Sequence, residues 1–142
     1  MKISMGSDHA GFELKEIIKE YLSKKDIEIV DFGCYSSDRV DYPDYAHKVA
    51  NSLVNDCEYG ILVCGSGNGI SMAANKHNGI RAAVCWNTEL AILSRQHNDA
   101  NILSLPARFI SNEESLSCVD LFLSTEFEGG RHTDRVEKID WN

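Results

Sequence analysis

Prolines are scarce in this chain: only Pro43 and Pro106 occur in 142 residues. There is also no Ser/Gly linker, charge block or low-complexity tract to separate folding units, so residues 1–142 read as a single domain. No apolar run is long enough to span a bilayer. The opening Met1-Lys2-Ile3-Ser4-Met5-Gly6-Ser7-Asp8 lacks the sustained apolar stretch of a secretory signal, so neither membrane insertion nor export is expected. Positive charge is in deficit, with 14 basic against 22 acidic side chains and a formal net charge of −8. That balance argues against nonspecific attraction to nucleic acid or to an anionic membrane surface. An anionic ligand would therefore need locally clustered cations. The five cysteines (Cys34, Cys57, Cys64, Cys85 and Cys118) form no C-x-x-C pair and have no histidine at metal-ligand spacing. They are expected to be reduced thiols in a cytoplasmic protein, with no metal site.

What is present is a regular alternation. Short apolar runs at residues 2–7, 27–32, 59–64, 81–85 and 101–105 are separated by segments of helical period, which predicts an α/β fold with a five-stranded, mostly parallel sheet. Leu14, Ile17, Ile18, Tyr21 and Leu22 recur at three- and four-residue steps, with Lys15, Glu16, Lys19 and Glu20 assigned to the opposite face. Ala46, Val49, Ala50, Leu53 and Val54 repeat the pattern after Pro43, whose fixed φ suits a first helical turn. Leu116, Val119 and Leu123 mark a helix near the C-terminus. In open parallel sheets ligands gather at the carboxyl ends of the strands, and the unusual polar residues recur there.

The strongest local signal is Ile61-Leu62-Val63-Cys64-Gly65-Ser66-Gly67-Asn68-Gly69-Ile70, an apolar strand running through a glycine-rich turn into a helix. Glycines allow close backbone approach, and amides at a helix start form a cradle suited to a phosphate or an anionic intermediate. The same surroundings favour a thiolate at Cys64, able to act as nucleophile or base. A buried strand-end cysteine beside a tight turn is the alternative. The sixth position after Cys64 is Ile70 rather than Arg, which argues against cysteine-phosphatase chemistry, and G-x-G-x-G departs from the dinucleotide fingerprint although Glu89 is roughly placed for a ribose partner.

Three further clusters each admit a functional and a structural explanation. Asp8 and His9, in Gly6-Ser7-Asp8-His9-Ala10-Gly11, can move protons or bind polar groups, or else Asp8 simply caps a helix. His97 and Asn98, in Ser94-Arg95-Gln96-His97-Asn98-Asp99, form either the edge of a site or an ordinary helix C-terminus with Asn98 as its cap. Arg131 and Arg135 share one face if helical and can grip one phosphate, or they form a solvated patch balancing Glu126, Glu128 and Asp134; Arg108 is open to the same two readings.

Taken together, Gly6–Gly11, Asp41-Tyr42-Pro43, Cys64–Ser71, Arg95–Asp99 and Glu128–His132 closely resemble the ribose-5-phosphate isomerase B family, in order and spacing and over almost the whole chain. The resemblance implies a Rossmann-like three-layer sandwich with a C-terminal helix. It implies an enzyme of pentose phosphate metabolism that interconverts ribose 5-phosphate and ribulose 5-phosphate through an enediolate, with no metal or organic cofactor. It also implies a homodimer or tetramer whose active sites combine residues of two subunits. The same broad family includes isomerases of galactose 6-phosphate and allose 6-phosphate, so a six-carbon substrate is the alternative, and a non-catalytic sugar-phosphate sensor is another.

By the same resemblance Cys64 is the base, since the branch lacking it places Glu where this chain has Ile70. His97 would protonate the ring oxygen, with Asp8 at the anomeric hydroxyl. Ser66 and the amides of Gly65, Ser66, Gly67, Asn68 and Gly69 would stabilise the enediolate. His9, Arg108, Arg131 and Arg135 would hold the phosphate, with Asn98 and Tyr42 contacting sugar hydroxyls or shaping the entrance.

Overall fold

The alternation of apolar runs and helical segments folds as a three-layer sandwich in the computed structural model, which describes residues 1–141. The strands are β1 (Lys2–Ser7), β2 (Glu28–Asp31), β3 (Tyr59–Cys64), β4 (Ala82–Val84) and β5 (Ile102–Pro106), all within two residues of their expected ends. They pair in the order β2-β1-β3-β5-β4, and every pairing is parallel. The helices are α1 (Phe12–Ser23), α2 (Tyr42–Ser52), α3 (Asn68–Ala74), α4 (Thr88–Asn98), α5 (Asn112–Ser124) and a short α6 (Thr133–Glu137).

Strand alternation sorts the side chains into two cores. Ile61 and Val63 of β3, with Ile3, Met5, Leu103 and Leu105, face Leu14, Ile18 and Leu22 of α1, Ala91 of α4, and Cys118, Val119 and Phe122 of α5. Leu62 and Cys64, with Ile102, face Ala46, Val49 and Ala50 of α2 and Ile70 and Ala74 of α3. Each of the large side chains contributes roughly 1.5–3 kcal/mol by leaving water, which is why both faces of the sheet are covered.

Four sequence expectations are corrected. Lys15, assigned to the solvent face of α1, is fully buried. Its Nζ lies 2.7 Å from Asp31 Oδ2 and 3.0 Å from Glu16 Oε1, because the helix edge closes over the end of β2 and supplies the partners that make a buried ammonium tolerable. Ile17 is more than a third exposed, the stripe of α1 being narrower than its apolar residues suggest. Val54 is also exposed: α2 ends at Ser52, whose Oγ donates back to the Val49 carbonyl oxygen and lies against Ser4 Oγ, and the chain turns before Val54 reaches the sheet. Asn98 is the last residue of α4 and not its cap; that place is taken by Asp99 in a left-handed conformation (φ 47°).

Candidate active site

The strand order reverses between β1 and β3: β1 leads outward to β2, and the chain returns to place β3 on the other flank of β1. Carboxyl ends at such a point leave a crevice. Asp8 and His9 leave the end of β1, and Cys64 and Gly65 leave the end of β3. A hollow of about 290 Å³ opens between them, lined by Asp8, His9, Ala10, Tyr42, Cys64, Gly65, Ser66, Gly69, Arg108 and Phe109.

Close backbone approach sets its shape. The Asp8 N–H donates to the Val63 carbonyl (3.3 Å), and a Cβ at Gly11 would fall 2.3 Å from the Val63 carbonyl oxygen, so only glycine lets the start of α1 sit against β3. A Cβ at Gly69 would fall 2.5 Å from the Tyr42 ring, which therefore packs directly on the start of α3. The end of β5 is laced to the end of β3 by Ala107 N–H to the Cys64 carbonyl (2.9 Å) and Arg108 N–H to the Gly65 carbonyl (3.0 Å). That lacing lays the Arg108 side chain over Gly65, where a Cβ would stand 3.2 Å from Arg108 Nη1. Arg108 is exposed and makes no ion pair among the described residues, so its charge is available to an anion.

Side-chain roles follow from the hydrogen bonds. Cys64 is 4% exposed, at the base of the hollow, and the Gly67 N–H donates to its Sγ at 3.1 Å. Gly67 reaches that position with φ 76°, a left-handed conformation glycine adopts at little cost. The Asn68 N–H is taken by Ser66 Oγ (3.2 Å), which leaves the Ser66 hydroxyl proton free to donate. Two of the five amides expected to face a ligand are therefore engaged within the turn, and the cradle is narrower than the sequence suggests. Asp8 is buried, with Oδ1 accepting from the Gly11 N–H (3.1 Å). The Val40 N–H donates to His9 Nδ1 (3.2 Å), so a neutral His9 carries its proton on Nε2. Elsewhere in the core, burial pushes the Cys85 thiol up to about 11 and the Cys118 thiol up to about 12.

The hollow gathers Asp8, His9, Tyr42, Cys64, Gly65, Ser66, Gly69 and Arg108 but does not include His97, Asn98, Arg131 or Arg135. Cys64 is in register with Pro106, whereas α4 ends at Asn98 and the chain re-enters the sheet at Ile102, the other end of β5. At ~3.3 Å per residue, that strand alone separates the two regions by about 13 Å. His97 stacks on the buried His132, ring centroids 4.4 Å apart and planes inclined by 14°. Arg131 and Arg135 lie exposed on the same C-terminal segment. Two contributors to the hollow had no signal in the sequence: Phe109, which lines it, and Val40, which supplies only a backbone N–H. Glu128 and His132, read only as part of the C-terminal motif and, for Glu128, as a counter-charge to the arginines, had no catalytic part assigned to them; non-helical backbone through Gly129 brings them together.

Among the described residues, one trio of potential metal ligands comes together: His97, Glu128 and His132, with ligand atoms within 4.8 Å of one another. The two imidazoles are nearly parallel, so their in-plane lone pairs run side by side and do not converge, and the trio does not fit a tetrahedral cation.

The model of the ribose/galactose isomerase family matches residues 3–139. The chain belongs to the ribose/galactose isomerase family. Ribose-5-phosphate isomerase B of Escherichia coli (strain K12) is 48% identical over 139 residues, covering 97% of this chain and 93% of that protein. Among solved structures, the ribose-5-phosphate isomerase B of Thermotoga maritima superposes with a TM-score of 0.96 at 56% identity, covering 98% of this chain and 97% of that one. The Mycoplasma genitalium ribose-5-phosphate isomerase B, solved with bound ribulose 5-phosphate, superposes with a TM-score of 0.92 at 45% identity, covering 97% and 93%. In this ribose/galactose isomerase, the fold thus sets a cysteine and an arginine without an ion-pair partner at one hollow.

Proposed function

We propose that this chain is an aldose-ketose isomerase that interconverts ribose 5-phosphate and ribulose 5-phosphate, with Cys64 as the base. The observation that carries the reading is the Cys64 sulfur, held by the Gly67 N–H within a hollow it shares with Asp8, His9, Ser66 and Arg108. Bound ribulose 5-phosphate in the Mycoplasma genitalium relative supports a five-carbon substrate.

The reaction begins with a ring-closed aldose. An acid protonates the ring oxygen as the anomeric hydroxyl loses its proton, and the C1–O bond to the ring breaks to give the aldehyde. The Cys64 thiolate then takes the C2 proton; the C2–H electron pair becomes the C1–C2 double bond, and the carbonyl electrons pass to O1. Returning the proton to C1, while the O2 proton passes to O1, leaves the ketone at C2 and a hydroxyl at C1. The Ser66 hydroxyl and the remaining turn amides stabilise the charged oxygen, where losing one such donor costs ~3–4 kcal/mol of barrier. His9 Nε2 and the Arg108 guanidinium hold the phosphate. No metal or organic cofactor enters these steps.

The separation of Cys64 from His97 favours a site built by two chains. One chain supplies Cys64, Asp8, His9, Tyr42 and Arg108. A second copy brings His97 as the ring-opening acid, Asn98 to a sugar hydroxyl, and Arg131 and Arg135 to the phosphate. The protein then acts as a homodimer or a tetramer in the cytoplasm. No helix among the described residues is long and apolar enough to cross a membrane.

Side-by-side kinetics on ribose 5-phosphate, allose 6-phosphate and galactose 6-phosphate test the substrate assignment. The reading expects the highest kcat/KM on the pentose; a preference for a hexose phosphate would move the protein to another branch of its family. A bound enediolate mimic with its phosphate at Arg108 and its carbon end at Cys64 tests the pose.

A further inference from the structure

His97 does not stand alone at the end of α4. Glu128 is fastened there by its own N–H, which donates to the Gln96 carbonyl (3.1 Å), and its Oε1 lies 3.7 Å from Nε2 of both His97 and His132. The His132 side chain is 9% exposed, whereas the His97 side chain is 39% exposed. We propose that His132 and Glu128 are positioning residues for His97. The buried His132 ring fixes the plane of the His97 imidazole by stacking, and the single Glu128 carboxylate, 3.7 Å from Nε2 of both rings, holds the two in register. The proposal rests on the ring-opening role given to His97 above.

Two stacked imidazolium rings 4.4 Å apart would repel, and one carboxylate offsets one of those charges. Burial, then the neighbouring His97, then the Arg131 guanidinium hold His132 below the usual histidine range, with Arg135 acting in the same direction and Glu128 against it. His132 therefore favours its neutral form. Arg95, two residues from His97 on α4, is committed to Asp99 Oδ1 (2.9 Å) and to the Ala100 and Thr125 carbonyls, so it does not compete for Glu128. A buried imidazole lying flat against the acid of the reaction, rather than hydrogen-bonded edge-on to the core, is the arrangement a support for that ring requires.

Chemistry supplies a readout that a merely structural role would not move. Ribose 5-phosphate is ring-closed and must be opened. Ribulose 5-phosphate cannot form a furanose, because its C5 oxygen carries the phosphate, so solvent deuterium entering its C1 position reports proton abstraction without ring opening. The test compares wild type with His132→Ala, His132→Phe, Glu128→Gln and His97→Asn on both measurements. His132→Ala should lose roughly 10- to 100-fold on ribose 5-phosphate, as expected when a reacting group is misplaced, while C1 exchange in ribulose 5-phosphate stays within about threefold. His132→Phe keeps a flat ring and should restore most of the aldose rate. Glu128→Gln, at an exposed side chain where folding is not at stake, should lose selectively on the aldose, because the contact that holds both rings in register is weakened. Equal losses on both substrates for His132→Ala, no rescue by phenylalanine, or equal losses on both substrates for Glu128→Gln would overturn the proposal. If His97→Asn itself shows no aldose-selective loss, the ring-opening role fails and the proposal falls with it; if His97→Asn shows the loss and the other variants do not, the positioning claim alone is wrong.

Discussion

Gly11→Ala and Gly79→Ala form a pair that separates close packing from backbone conformation. Gly11 has φ −96°, which alanine adopts freely, but a methyl there would meet the Val63 carbonyl oxygen at 2.3 Å. A relaxed carbon–oxygen contact is about 3.3 Å, so the start of α1 must withdraw from β3 by roughly 1 Å. Overpacking of that kind costs ~1–3 kcal/mol. For a chain of this size that lowers Tm by roughly 3–10 °C. Because the displaced segment carries Asp8 and His9, a shift of this size should also cost about 100-fold in kcat/KM. Gly79 presents the reverse case, with φ +78° and nothing within 4 Å of an added Cβ. Alanine there should cost ~1–2 kcal/mol of stability through its backbone alone and leave kcat/KM within about twofold. Differential scanning calorimetry and steady-state kinetics on the two variants decide the matter. A Gly11→Ala enzyme that melts lower but turns over normally would refute the argument that contact between α1 and β3 sets the catalytic geometry.

Arg108→Ala should raise KM for ribose 5-phosphate by roughly 10- to 100-fold with a smaller effect on kcat, since in the proposed role the guanidinium binds the phosphate in both ground and transition states; an unchanged KM would remove it from the phosphate site. Burial alone would raise the Asp31 pKa, but the Lys15 and Lys19 ammoniums and the Gly33 N–H outweigh it and hold this carboxyl below its usual range. The resulting stabilisation is present above the unfolded value near ~4 and is lost as pH falls through the lower folded value. Asp31→Asn should therefore melt lower at pH 7 and show a shallower loss of Tm on acidification than wild type. With thiols raised to about 11 and about 12, Cys85 and Cys118 should remain unlabelled by iodoacetamide at pH 8 while Cys64 reacts and activity falls in step; a phosphate-bearing ligand should protect, and inactivation that tracks another cysteine would contradict the site.

The sheet was legible in the sequence because five apolar runs at the right spacing leave little freedom, and the glycine-rich turn after Cys64 was legible as a place of close backbone approach, while the part given to Cys64 itself came from the family resemblance. Burial of Lys15 was hidden because its partner Asp31 lies on a different element, and helical period alone assigns a lysine to water. Val54 was misplaced because the apolar spacing continues past Ser52, where side-chain hydroxyl bonds end α2. The placement of His97 is a matter of topology: a residue late in α4 lies at the amino end of the sheet, away from residues that follow β1 and β3, however close their motifs seem in function. The inward hydrogen bonds of Gly67 and Asn68 were equally beyond pattern reading, since a glycine turn does not reveal which of its amides it uses itself.

The central claim is that the Cys64 sulfur carries the proton between C1 and C2. Incubating ribulose 5-phosphate with the enzyme in deuterium oxide and following the C1 hydrogen by proton NMR tests it most directly, with affinity for a phosphate-bearing inhibitor measured in parallel. Cys64→Ala should bind the inhibitor within a few-fold of wild type and exchange no C1 hydrogen above the uncatalysed rate. Exchange at the wild-type rate in that variant would contradict the account.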